Sequence, residues 1–83
     1  MIAIGLDDGA WKDVEPGTEA LVDRWLVGQG EAVKAGAVLA VVVLVKTSIE
    51  LTASADGTID RIDFAAGSTF ARGVPIGWLR ETA

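Results

Sequence analysis

Apolar residues along this chain come in short runs broken by glycine, and no stretch keeps the 3.6-residue spacing of an amphipathic helix. The runs at about 19–27, 31–34 and 37–45, and again at 57–64, 68–71 and 75–80, are filled by Val, Ile and Leu. Each reads as a strand, and residues 1–5 add one more. Gly28, Gly30, Gly36, Gly67 and Gly73 mark the breaks, as expected where tight turns need positive φ. Between Leu6 and Gly17 lies an acidic, turn-rich loop whose Trp11 is expected to pack back onto the β body.

The runs repeat. Sliding the sequence by 37 positions sets Val22-Asp23-Arg24 on Ile59-Asp60-Arg61 and Trp25 on Ile62. Gly30 then meets Gly67, Val33 meets Phe70, Gly36 meets Gly73, Leu39 meets Ile76 and Val42 meets Leu79. Each copy reads as strand, turn, short strand, turn, strand. The pattern predicts an all-β domain, with two sheets packed face to face about a pseudo-two-fold axis. At 83 residues the chain is expected to be one domain, 1–83.

The copies are joined through Val43-Leu44-Val45-Lys46-Thr47-Ser48-Ile49-Glu50-Leu51-Thr52-Ala53. Strand-forming residues flank Lys46-Thr47, which places those two at a hairpin tip. Adding 37 to 46 gives Ala83, and subtracting it gives Gly9. The pseudo-two-fold therefore predicts Lys46 at one end of the domain and both terminal regions at the other. The run Val41 to Val45 would make both faces of the hairpin apolar. One face then belongs to the core, with the other covered by a neighbouring strand or loop; a docking patch or a self-association edge are the other readings. The remaining glycines, Gly57 among them, are expected to serve turns. Asp23-Arg24 and Asp60-Arg61 are read as surface salt bridges, and Trp25 and Trp78 as core fillers.

Composition narrows the chemistry. The chain holds no Cys and no His, which removes thiol nucleophiles, thiolate metal sites and the commonest general base. A net charge of −5 opposes binding to nucleic acid or to an anionic membrane surface. The longest apolar run, Ala37 to Val45, is nine residues, too short to span a bilayer. With no basic leader at its start, the chain is expected to be cytoplasmic. Glu50, Asp56 and Asp60 show no pairing that would make a catalytic set. No catalytic or metal-binding residue is assigned, and the chain is not expected to be an enzyme.

From about Ala20 to Leu79 the chain resembles the biotinyl/lipoyl carrier domains. Arg24-Trp25-Leu26-Val27, Gly30-Glu31, Val33, Gly36 and Leu39 are similar to the first half of lipoyl domains in 2-oxoacid dehydrogenase acyltransferase subunits. Lys46-Thr47-Ser48-Ile49-Glu50 is similar to their segment following the modified lysine, and Gly57, Ile62, Gly67 and Gly73 continue the pattern. The resemblance implies a flattened barrel of two four-stranded antiparallel sheets. It implies lipoate joined to Lys46 at the hairpin tip, with biotin, or an unmodified interaction module, as the alternatives. It also implies a lipoate (or biotin) protein ligase as the modifying partner. Thiamine-diphosphate decarboxylase/dehydrogenase, acyltransferase and flavoprotein subunits would then use the arm to shuttle acyl groups. One departure stands out: lipoyl domains usually carry acidic residues where this chain has Val43 and Val45, and biotinyl domains usually flank the lysine with Met.

Overall fold

The computed structural model describes residues 1–12 and 14–81. Eight strands run in chain order: β1 (Ile2–Ile4), β2 (Ala20–Trp25), β3 (Ala32–Val33), β4 (Val38–Leu44), β5 (Thr47–Thr52), β6 (Gly57–Ile62), β7 (Thr69–Phe70) and β8 (Gly77–Glu81). A single 3₁₀ turn, Asp8–Trp11, is the helical element among the described residues. The strands form two four-stranded antiparallel sheets, ordered β1-β8-β6-β3 and β5-β4-β2-β7. Every strand of one sheet has its counterpart in the other, as the repeat predicts. β2, β3 and β4 map onto β6, β7 and β8, and β5 takes the place that β1 holds.

The same offset governs the turns and the core. Gly30 and Gly67 adopt φ 87° and 92°, and Gly36 and Gly73 adopt 87° and 81°. Each is the third residue of a turn closed by a backbone bond such as Glu31 N–H to Gly28 O at 3.0 Å or Ser68 N–H to Ala65 O at 3.0 Å. Positive φ at that position is the type II pattern, which favours glycine. Inside, Val22 and Ile59, Leu39 and Ile76, and Val42 and Leu79 are all fully buried pairs related by the repeat. The core is aliphatic apart from Phe70, against which Trp11 packs edge-on with ring centroids 6.2 Å apart. Trp11 is buried, as expected.

Three expectations need correction. Asp23 and Asp60 are the extra residues of two equivalent β-bulges, between Val22 and Arg24 and between Ile59 and Arg61. Arg61 pairs with Asp63 at 2.9 Å instead of with Asp60. Trp78 is no core filler: it lies half-exposed, its Nε1–H donating to Asp63 (3.1 Å) with the Arg61 guanidinium over its ring. Trp25 does pack against the core, its Nε1–H bonded to the Phe64 carbonyl at 2.8 Å. Gly57, finally, sits within β6 at ordinary φ, where the strand runs close to β8. A Cβ there would collide with the Arg80 carbonyl oxygen and lie 3.1 Å from the Glu81 Cα.

Gly57→Ala is therefore expected to destabilise the fold by about 1–3 kcal/mol through overpacking. Gly28→Ala, which meets nothing within 4 Å, should cost less than about 0.5 kcal/mol. Urea midpoints at unchanged m-value measure both, and equal midpoints would refute the close-approach assignment.

Candidate functional site

β4 and β5 form a hairpin with Val38 paired to Thr52 at its base and Leu44 paired to Thr47 at its tip. Alternation sorts their side chains. Ala40, Val42 and Leu44 join the core with Leu51, and Ile49 packs against it. Val41 and Val43 fall on the outer face. Val41 is still 7% exposed between its cross-strand neighbours Arg24 and Glu50, whose long stems suit covering an apolar neighbour. Val43, between Leu21 and Ser48, is only half-buried, and Val45 is 65% exposed. The outer face is thus covered at mid-strand and opens towards the tip.

The tip is Val45-Lys46, one residue earlier than the sequence suggests. Thr47 already belongs to the β4–β5 ladder. Val45 takes φ 59° while Lys46 stays at negative φ, the φ pattern of a two-residue II′ hairpin turn, which normally places glycine first. A β-branched residue there is strained, at a typical cost of about 1–3 kcal/mol. Six paired positions on each side of the turn hold it in place. Lys46 itself is exposed, and among the described residues no hydrogen bond or ion pair engages its amine.

Register places the first and last described strands' outer ends far from this lysine, Ala83 lying outside the described residues. β5 runs away from the tip and hands over at Gly57, which pairs with Glu81; Ile2 pairs with Leu79. Residues 1 and 81 therefore lie at the other end of a body 38 Å long, as the pseudo-two-fold requires.

Beside the turn is a groove that the sequence pattern did not disclose. It measures about 560 Å³ and is floored by Leu21, Val43 and Val45, with Val14, Glu15, Thr18 and Glu19 on its far wall. The loop residues arrive there because Pro16-Gly17 makes a further turn, with Gly17 at φ 88° and Thr18 N–H bonded to the Glu15 carbonyl at 3.2 Å. That Pro-Gly pair was the available signal. A separate cleft of about 650 Å³ opens between edge strands β1 and β5, and its lining does not reach the turn. Among the described residues no three His, Cys, Asp or Glu cluster as metal ligands, and no helix is long and apolar enough to cross a membrane.

Replacing Val45 by Asn, which tolerates positive φ far better than a β-branched residue, should stabilise the domain by about 1 kcal/mol. Little burial is lost, because the side chain is mostly exposed. A lowered urea midpoint for Val45→Asn would show that the turn holds no such strain.

Comparison with known proteins agrees with this geometry. Residues 14–79 match the biotin/lipoyl family model, described as "Biotin-requiring enzyme". The dihydrolipoyllysine-residue succinyltransferase components of the 2-oxoglutarate dehydrogenase complex from Rickettsia conorii and Rickettsia felis are each 35% identical over 66 residues. That stretch is 80% of this chain, and the chain spans about a sixth of the length of those relatives (17% and 16%). The solution structure of the lipoyl domain of the 2-oxoglutarate dehydrogenase complex from Azotobacter vinelandii superposes with a TM-score of 0.75 at 32% identity, covering 83% of this chain and 87% of that one. Two bulged, pseudo-symmetric sheets, one of them carrying the lysine on its β4–β5 hairpin, together with a family match across most of the sequence, lead to one assignment: the chain belongs to the biotin/lipoyl family.

Proposed function

We propose that residues 1–83 form a lipoyl-type carrier domain and that Lys46 is its attachment site. The observation that carries the proposal is the exposed, unengaged amine at a rigid two-residue turn, opposite both described chain ends. This fits covalent attachment: the side chain is reachable, while the backbone beneath it is fixed. The Lys46 amine is the nucleophile towards an acyl group activated by a lipoate protein ligase. An amide forms, the activating group leaves with the electron pair, and the proton lost from the amine removes the side chain's charge. A lysine amine is ordinarily protonated at neutral pH, so the ligase has to supply the base.

A bound lipoyl group brings acyl-transfer and redox chemistry through its dithiolane. The domain itself does not catalyse. Its residues hold the arm at a defined point and keep the amide clear of the sheet. Tethering raises the arm's local concentration at each active site it visits. The succinyltransferase relatives and the lipoyl-domain neighbour support a 2-oxoacid dehydrogenase-type complex as the setting, with lipoyl favoured over biotinyl. In that setting the partners are a thiamine-diphosphate dehydrogenase, an acyltransferase and a flavoprotein. The absence of Cys in this chain suits the role, since no thiol of its own competes for exchange with the dithiolane.

Incubation with lipoate protein ligase, ATP and lipoate should add one lipoyl mass, read by intact mass spectrometry. Lys46→Ala should abolish the addition with an unchanged circular dichroism spectrum. Exchanging positions, Lys46→Thr with Thr47→Lys, should also abolish it, because residue 47 lies in the ladder and not in the turn. An unmodified wild-type domain beside a reacting control acceptor would sink the proposal, and a biotinyl mass with biotin ligase alone would replace lipoate by biotin.

A further inference from the structure

The groove beside the turn is the feature the carrier role leaves unused. We infer that it is a resting site for the domain's own lipoyl arm, so that the modification binds the protein that carries it. The inference depends on Lys46 being the lipoylated residue.

Three observations lead there. The groove starts one residue from the attachment point, since Val45 lines it and Lys46 is next in the chain. It is apolar where an arm would lie: Val43 is half-buried, Leu21 38% exposed and Val45 65% exposed, and together they leave a strip of aliphatic surface in water. The Val14–Thr18 wall itself packs towards the core, since a second pocket of about 290 Å³ is lined by Val14, Glu15 and Thr18 together with the buried Trp11 and Arg72. At about 560 Å³ the groove itself lies in the range that accepts small ligands.

The arm matches this surface chemically. Once amidated, the lysine has lost its charge, and beyond the amide the arm is an aliphatic chain ending in a disulfide ring. Val43 and Val45 make the approach to the lysine along the outer face apolar. Intrinsic affinity need not be high. A short flexible tether gives an effective concentration in the mM range, so a dissociation constant of about that size already fills the groove half the time. Glu15 and Glu19 edge the groove, with the Glu19 carboxylate accepting a bond from the Thr69 hydroxyl at 3.5 Å. They leave the apolar floor open.

The test compares amide spectra of ¹⁵N-labelled domain before and after lipoylation, with intact mass confirming the modification. Lipoylation should shift amides at Val14, Thr18, Leu21 and Val43 as well as those of the turn. In lipoylated Val43→Asp the shifts should contract to residues 44–48, with the rest of the spectrum unmoved. Leu21→Asp, which lies on β2 outside the hairpin's own sequence, should do the same, with unmoved amides at Val38 to Val42 and Ile49 to Thr52 showing that the hairpin is intact. A fully lipoylated wild-type domain whose shifts are confined to residues 44–48 overturns the resting site and leaves the carrier role standing. Shifts that grow with protein concentration also overturn it, because they mark self-association. A domain that takes up no lipoate overturns the carrier role itself.

Discussion

Everything in this structure depends on β4 being paired along its length on both sides. From Val38 to Leu44 it is laddered to β5, and from Ala40 to Val43 it is laddered to β2. A strand held that way has its register fixed twice, and a one-residue slip would turn Val42 and Leu44 out of the core. The position of the turn is set by that register alone. So is the exposure gradient on the outer face, from covered Val41 to open Val45.

The repeat adds a second constraint of the same kind. Asp23 and Asp60 occupy equivalent bulges on the central strands β2 and β6. A bulge sharpens the local twist of a strand pair. Placed at corresponding points, the two let both sheets coil to the same degree and face each other across an aliphatic core. The motif most alike between the halves is thus a backbone device. Its charged side chains are those that a bulge leaves facing solvent.

Much of this was legible in the sequence. The spacing of 37 carries the strand correspondence, the equivalent glycines and the core pairs, because φ preference and apolar character belong to the residues themselves. The candidate lysine emerges from its place between the copies. Three things stay hidden for physical reasons. Gly57 looks like any turn glycine, and its need for space comes from Arg80 and Glu81, more than twenty residues away. The turn reads one residue late in the sequence because Val45 has no propensity for positive φ; the ladder imposes it. The groove arises where the loop holding Val14 and Thr18 folds over the outer face of β2 and β4, and apolar patterning records only which residues are apolar.

The strain at Val45 is informative about the kind of display the fold provides. A flexible loop would relax a β-branched residue out of positive φ at once, with nothing to oppose it. Here the alternative conformations would break the Leu44–Thr47 rung and expose a core residue, Leu44, which is 4% accessible. The turn therefore stays in one shape although its sequence does not prefer that shape. If Lys46 is modified as proposed, the ligase must find one lysine among the exposed cations of a small domain, and shape and position are the dependable signals. A fixed backbone with an unengaged amine supplies them, and Val43 and Val45 leave the outer face apolar up to the lysine.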